Sequence, residues 1–93
     1  MKSFEIQYHR AKNAANKLKH LGISLAETEP VFHDERALTL EDNHHDEQRW
    51  IIMGLDGKGR LLVVAYTHRD PNFVRIISAR LASKNERRQY LEA

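Results

Sequence analysis

Residues 49–79 contain the clearest strand pattern of the chain, RWIIMGLDGKGRLLVVAYTHRDPNFVRIISA. Two strand-like runs, 49–55 and 60–68, flank the sequence DGKG at 56–59, whose glycines tolerate the positive φ angles of a hairpin turn. A third run, 73–79, follows the turn sequence DPN at 70–72. We therefore predict consecutive antiparallel strands joined by tight turns.

The segments before this region add two strands and two helices. Residues 36–41 alternate weakly and 4–8 alternate clearly between apolar and polar side chains, as strands do. Between them, small and apolar residues recur at helical spacing from Arg10 until Gly22. Ser24 and Glu27 have capping-box spacing, so a second, short helix is expected to run to about Phe32, although Pro30 could shorten it.

A second capping box, Ser83 with Glu86, predicts a C-terminal helix. The expected fold class is therefore α+β, with a small, mostly antiparallel sheet of about four to five strands. Two N-terminal helices and the C-terminal helix would flank this sheet.

The strand at 60–68 is expected to lie in the middle of the sheet. Tyr66 shares one predicted face with Leu62 and Val64, and the opposite face is also largely apolar. Tyr66 and Trp50 are accordingly interpreted as core residues. His68 would lie near the rim, where proton transfer is one option.

Composition limits the class of protein. The 93 residues suffice for a single domain, 1–93, and none is cysteine, which excludes thiol catalysis and cysteine-based zinc sites and fits a reducing compartment. The residues at 1–5 lack the apolar stretch of a secretory signal. The longest apolar runs are too short for a membrane helix, so we expect a soluble, cytoplasmic protein without membrane contact.

Charge is distributed unevenly although the formal net charge is only +2. Cations outnumber acids before Gly22 and after Gly57, and acids outnumber cations between them. If the two basic parts meet in the fold, they could form one positive face for a polyanion such as RNA. The alternative is that these side chains merely solvate a small surface.

Several motifs, in order and spacing, resemble those of the BrnT family of toxins. Each fragment alone is weak, but together they extend over nearly the whole chain. The matching positions are Lys12, Asn16, Lys19, His20 and Gly22–Ser24, then Val31, Phe32 and Asp34, then Ile52, Gly54, Gly59, Arg60, Leu62, Val64, Tyr66, Thr67 and Arg69, and finally Arg75–Arg80, Ala82, Glu86, Arg87 and Tyr90.

The resemblance implies a RelE-like fold and an endoribonuclease toxin that needs no cofactor and is silenced by an antitoxin. The implied partner is a BrnA-type antitoxin with a ribbon-helix-helix DNA-binding part, forming a hetero-oligomer with the toxin. Contact with DNA would then be indirect, through the antitoxin. The substrate would be RNA, and cleavage would inhibit translation and growth.

RNA cleavage without a metal requires cations that stabilise the charged phosphate and groups that transfer protons. Following the resemblance, we assign Arg69 and Arg80 to phosphate stabilisation and Arg75 to RNA binding beside them. Arg75 or Arg80 could instead form a salt bridge to the closing helix. If their strands are antiparallel neighbours, Arg69 lies closer to Arg75 than to Arg80.

Three further residues complete the predicted site. His20 is a candidate for proton transfer because a histidine has an unperturbed pKa of about 6.5, but it could simply cap its helix. Lys12, on the same helix face, is assigned to phosphate binding. Arg49 could bind RNA or pair with Asp46 or Glu47.

Other chemistries have little support. The sequence HHD at 44–46 lacks a second ligand pair and is interpreted as a solvated loop, so no metal site is expected. The chain departs from the family at 8–10, where YHR replaces the usual WDP, and at the extra Leu21. These departures leave room for a catalytically inactive RNA-binding module. A further rival function is a subunit whose basic face binds only an acidic protein.

Overall fold

A computed structural model describes residues 5–8, 23–42, 48–69 and 73–93, with residues 5–8 and 69 described by their backbone alone. Five strands of this part form one sheet in the order β1-β5-β4-β3-β2. β1 pairs with β5 in parallel, and the other neighbours are antiparallel. The elements are β1 (Glu5–Tyr8), a 3₁₀ helix (Leu25–His33), β2 (Leu38–Asp42), β3 (Arg49–Leu55), β4 (Leu61–Arg69), β5 (Phe73–Leu81) and α1 (Lys84–Glu92).

The predicted α+β class and the mostly antiparallel sheet of four to five strands are confirmed. Strand boundaries agree with the expected ones to within two residues. The helix expected to end at Gly22 lies outside the described residues. No helix in the described ranges is long and apolar enough to cross a membrane.

The β3–β4 hairpin has the turn that its sequence predicts. Gly59 has a φ of 79°, which residues with a side chain rarely adopt. Asp56 is buried and its side chain accepts hydrogen bonds from the backbone N–H groups of Lys58 (2.9 Å) and Arg60 (2.8 Å) and from Nε of Arg60 (2.7 Å). These donors outweigh the opposing effect of burial and lower the pKa of Asp56. The buried Asp56 carboxylate therefore stabilises the turn by accepting hydrogen bonds from its backbone and from the Arg60 side chain.

The two faces of the sheet have different coverings. We call the side of β4 that carries Leu62, Val64 and Tyr66 the even face, and the side that carries Leu61, Val63 and Thr67 the odd face. The 3₁₀ helix packs on the even face, where its buried Val31 joins the main core. On the odd face, Tyr90 of α1 packs against the following residues: Met53, Leu61 and Val63.

A β-bulge interrupts the pairing of β4 with β5. Ala65 pairs with Ser78 and Tyr66 pairs with Ile76, so Ile77 has no partner on β4. Two residues five positions apart lie on opposite faces of a regular strand. Because of the extra residue, Arg75 and Arg80 both point to the odd face, opposite Thr67 and Val63.

The second predicted helix is present but is a 3₁₀ helix. Ser24 caps it as expected and accepts from the backbone N–H of Ala26 at 3.2 Å. The other half of the predicted capping box is wrong, because Glu27 reaches across to Lys58 (3.0 Å) and Arg60 (2.9 Å) of the hairpin. Two cations outcompete one backbone N–H for a carboxylate. These ion pairs of Glu27 attach the 3₁₀ helix to the β3–β4 turn.

At Gly54 the backbone of β3 lies close to side chains from the 3₁₀ helix and the residues that follow it. A Cβ atom at this position would lie 3.1 Å from Oδ2 of Asp34 and 3.2 Å from both Cβ of Ala37 and Cγ1 of Val31. Only glycine leaves room for this close approach without displacing its neighbours. The same carboxylate oxygen of Asp34 accepts the backbone N–H of Leu55 at 2.9 Å.

Candidate functional site

Three side chains from adjacent strands form a row on the odd face. Thr67 of β4 pairs directly with Arg75 of β5. On the other side, Trp50 pairs with Tyr66, and continuing this register by one residue places Arg49 of β3 opposite Thr67. With strands about 4.8 Å apart, the Cα atoms of the two arginines are about 10 Å from each other. We call Arg49, Thr67 and Arg75 the cation row.

Polar atoms in this row are buried without partners. Thr67 is only 3% exposed, and its Oγ1 accepts and donates no hydrogen bond within the described part of the chain. The Nε atom of Arg49 is also buried and has no hydrogen-bond partner among the described residues. Arg75, by contrast, is exposed. A row with one open and two buried, unpaired donors is suited to an incoming group that accepts hydrogen bonds.

The arginines of the row are not neutralised within the described ranges. The ion pairs formed there involve Lys58, Arg60 and Arg80. Neither Arg49 nor Arg75 takes part in one. Asp42 of β2 is the register partner of Arg49 but forms no ion pair with it, so the positive charges of both arginines can attract an external anion such as a phosphate group.

Arg80 lies on the same face but in a different environment. Its two terminal nitrogens donate to the two carboxylate oxygens of Glu86 in α1 at 2.7 and 2.8 Å. This pairing lowers the pKa of Glu86 to about 2, because the hydrogen bond and charge of Arg80 outweigh partial burial. Arg80 pairs with Val63, four residues before Thr67 on β4, which is about 13 Å along the strand. The geometry thus matches the alternative in which Arg80 forms a salt bridge to the closing helix.

The remaining predicted site residues are only partly placed. Arg69 ends β4 and its backbone pairs with Phe73, two positions beyond Thr67, but its side chain is outside the described part of the chain. Lys12 and His20 lie outside the described residues, as does the HHD sequence at 44–46. Within the described ranges, no three His, Asp or Glu side chains come together in a group suited to a metal ion.

The aromatic residues on the even face agree with the sequence interpretation. Tyr66 is buried, its ring meets that of Phe32 edge to face at 5.0 Å, and burial raises its pKa. Trp50 packs against the same core. His68 is exposed at the rim of this face, 5.9 Å from the ring of Tyr66, and thus on the opposite side of the sheet from the cation row.

Sequence reasoning missed Thr67 as a site residue. Its one distinguishing signal is that it is polar while Leu61, Val63 and Ala65, the other described residues on its face of β4, are apolar. A second missed contact is the hydrogen bond from the hydroxyl of Tyr90 to Oδ2 of Asp34 at 2.6 Å, which fixes α1 near the end of β3. The separation of 56 residues along the chain hides this contact from any local pattern.

Comparisons with known proteins agree with this architecture. Residues 8–86 match the profile of a family described as the ribonuclease toxin BrnT of a type II toxin–antitoxin system. Among solved structures, the ribonuclease toxin BrnT of Brucella abortus superposes with a TM-score of 0.69 over 88% of this chain and 100% of that chain, at 18% sequence identity. At that identity the superposition concerns the fold alone. A search of curated protein sequences finds no significant match.

The matched profile extends from the end of β1 into α1 and so includes every residue of the cation row. The chain belongs to the BrnT family of ribonuclease toxins of type II toxin–antitoxin systems.

Proposed function

We propose that this protein is a metal-independent endoribonuclease that binds RNA on the odd face of its sheet, at the cation row. The observation that carries the proposal is the pair of arginines, Arg49 and Arg75, which stand in register on that face and form no ion pair in the described ranges, although Asp42 of β2 is the register partner of Arg49. Guanidinium groups spaced in this way suit successive oxygens of a sugar–phosphate backbone.

In the proposed reaction, the ribose 2′-OH attacks the neighbouring phosphorus in line, and the 5′-oxygen of the next nucleotide leaves. The product ends would be a 2′,3′-cyclic phosphate, or the 3′-phosphate formed by its hydrolysis, and a 5′-hydroxyl. Arginine side chains stabilise the additional negative charge on the pentacoordinate phosphate. We assign this task to Arg69, at the end of β4, together with the cation row, and we keep His20 as the candidate for proton transfer and Lys12 as a phosphate ligand.

For Arg80 we propose a supporting role. Both of its terminal nitrogens already bind Glu86, and the side chain holds α1 against β5. Moving the guanidinium to a phosphate would leave a partly buried carboxylate without its main partner. Arg80 would therefore affect cleavage through the position of α1.

The family implies an antitoxin, and we propose that it is of the BrnA type with a ribbon-helix-helix DNA-binding part. The toxin would form a hetero-oligomer with it in the cytoplasm, act as a single domain of the RelE-like type, and contact DNA only through the antitoxin. An acidic segment of the antitoxin would suit the positive charge of the cation row. Growth arrest would follow from RNA cleavage and the resulting loss of translation.

Cleavage of a labelled single-stranded RNA by purified protein, in buffer containing EDTA, tests this proposal. The double variant Arg49→Ala/Arg75→Ala should cleave at least about 100-fold more slowly, since each lost contact to a phosphate is equivalent to about tenfold or more. The matched control is Arg87→Ala/Arg88→Ala, which removes the same charge from exposed positions on α1 and should cleave at the wild-type rate.

The outcomes separate the alternatives. Equal rates for the wild type and both variants would refute the assignment of the cation row. Cleavage that stops in EDTA and returns with a divalent ion would refute metal independence. RNA binding without any cleavage would favour the inactive RNA-binding module.

A further inference from the structure

The hydroxyl of Thr67 has no hydrogen-bond partner among the residues that the structure describes. Thr67 lies in the most central strand of the sheet and is 3% exposed. A buried hydroxyl without a partner destabilises the folded state, and valine has nearly the same shape without this penalty. Stability of the folded state alone therefore favours valine at this position. The presence of a hydroxyl here points to a function other than stabilising the fold.

A second polar atom on this face, Nε of Arg49, is likewise buried without a hydrogen-bond partner in the described ranges. Arg49 faces Thr67 across the β3–β4 register on the odd face. The two groups do not bind each other, although an N–H donor and a hydroxyl oxygen could. Both can donate a hydrogen bond, so a ligand oxygen that only accepts would satisfy the two together.

Arg75 supplies the third side of this arrangement. It pairs with Thr67 from β5, is exposed, and takes part in no ion pair within the described ranges. A ligand placed between the two arginines would face two positive charges and a hydroxyl. Oxyanions combine negative charge with acceptor-only oxygens, and the phosphate group of a nucleic acid is the one that fits the proposed substrate.

We propose that Thr67 is a phosphate-binding residue and that its hydroxyl, Nε of Arg49 and the guanidinium of Arg75 together hold one phosphate group of the RNA. This proposal depends on the ribonuclease function proposed above and adds to it a neutral residue that recognises the backbone. Because Oγ1 and Nε are buried in the free protein, the arginine side chains must change rotamer as the phosphate enters, as interface side chains commonly do.

The test compares Thr67→Val with Thr67→Ser, which removes a methyl group but keeps the hydroxyl. The probe is a fluorescent 2′-O-methyl RNA oligonucleotide, which lacks the attacking hydroxyl and stays intact, and its affinity is measured by anisotropy. Thr67→Val should bind it about tenfold more weakly, as expected for a lost hydrogen bond to a charged group, while Thr67→Ser should bind like the wild type. The melting temperature of Thr67→Val should equal or exceed that of the wild type, because an unpaired buried hydroxyl is removed.

Three outcomes decide the matter. Unchanged oligonucleotide affinity together with a lower melting temperature in Thr67→Val would show a structural hydroxyl and overturn the proposal. Unchanged oligonucleotide affinity with weakened antitoxin binding would assign the oxyanion to a carboxylate of the protein partner and also overturn it. If the wild type cleaves no RNA but Thr67→Val still weakens oligonucleotide binding, the cleavage function fails while the phosphate site stands.

Discussion

Glu86 binds two groups from different parts of the chain at the same time. Its carboxylate accepts hydrogen bonds from the guanidinium of Arg80 and from the backbone N–H of Ser83, the latter at 2.8 Å. In return, the backbone N–H of Glu86 donates to the hydroxyl of Ser83 at 3.2 Å. The capping box predicted from the sequence is thus complete, and the same acid also attaches α1 to β5. One side chain therefore both starts the helix and anchors it.

This double role gives folding stability a pH dependence. The pKa of Glu86 is about 2 in the folded protein against an ordinary value of 4.5, so its contribution is fully present above the unfolded value and is lost as the pH falls from about 5 to about 2. Because Arg80 is 44% exposed and solvent screens the pair, we expect this contribution to be only about 1–2 kcal/mol. Urea denaturation across this pH range measures it.

Glu86→Gln should remove much of this slope, and Glu92→Gln, an exposed carboxylate at the end of the same helix, should keep it. Parallel pH profiles for wild type and Glu86→Gln would show that the pair with Arg80 does not stabilise the folded protein.

The family motif points to Arg75, whereas Arg49 was chosen only because a cation opens a strand there. The structure brings the two onto one face of the sheet, and their role in RNA binding stays a prediction. The sequence could not decide between RNA binding and a salt bridge for Arg80, since that depends on whether Glu86 turns toward β5. Thr67 was missed because the proposal for it rests on the lack of a hydrogen-bond partner in the described part of the chain, which no sequence pattern shows.

At the level of elements, α1 is attached to the sheet by few contacts. Tyr90 is its one buried residue, packs on Met53, Leu61 and Val63, and donates its hydroxyl to Asp34. Burial opposes ionisation of Asp34, but the bonds from Tyr90 and from two backbone N–H groups outweigh this effect and lower its pKa. An ionised acceptor strengthens the bond that holds the helix.

Tyr90→Phe should therefore destabilise the protein by about 1–2 kcal/mol, since it keeps the ring but removes one hydrogen bond to a carboxylate that retains other donors. For a domain of this size, that corresponds to a fall of roughly 4–15 °C in melting temperature. The matched control is Leu91→Ala, which changes the neighbouring exposed residue of α1 and should leave the melting temperature nearly unchanged. Equal melting temperatures for Tyr90→Phe and wild type would contradict the anchoring role of the hydroxyl.

Strands were easier to predict than the details of the helices. The runs in β3, β4 and β5 are strongly apolar and separated by glycine- or proline-containing turns, so their existence and antiparallel order follow from local sequence. The two faces of β4 also follow from alternation and were assigned correctly. The 3₁₀ geometry at 25–33 and the bond from Glu27 to the hairpin depend on tertiary contacts, and no local pattern announces the bulge at Ile77.

At the scale of the whole molecule, the odd face has an anchored helix at one end and, at the other, cations that form no ion pair with any residue the structure describes. α1 covers the end of this face near Val63, and the cation row crosses the opposite end near Thr67. Binding at this row should consequently depend strongly on electrostatics, since the phosphate backbone of a single strand releases counterions when cations contact it.

The salt dependence of binding measures how many phosphates are contacted. A plot of log affinity for the 2′-O-methyl oligonucleotide against log salt concentration should become shallower by as much as about 0.7 in Arg49→Ala and in Arg75→Ala, since each variant weakens the contact to the one phosphate that both arginines are proposed to hold. Arg88→Ala, on the exposed side of α1, serves as the control and should leave the slope as in the wild type. Identical slopes for Arg75→Ala and Arg88→Ala would mean that the row does not touch phosphates.

The extra residue at Ile77 divides β5 into two segments with opposite side-chain alternation. Before Ile77 the odd-numbered residues of β5 point to the odd face, and after it the even-numbered residues do. Deleting one residue here would restore regular alternation along the whole strand. Either Arg75 would then point into the apolar core on the even face, or Arg80 would point away from Glu86. Natural variation in the length of this strand should therefore be rarer than variation in its side chains.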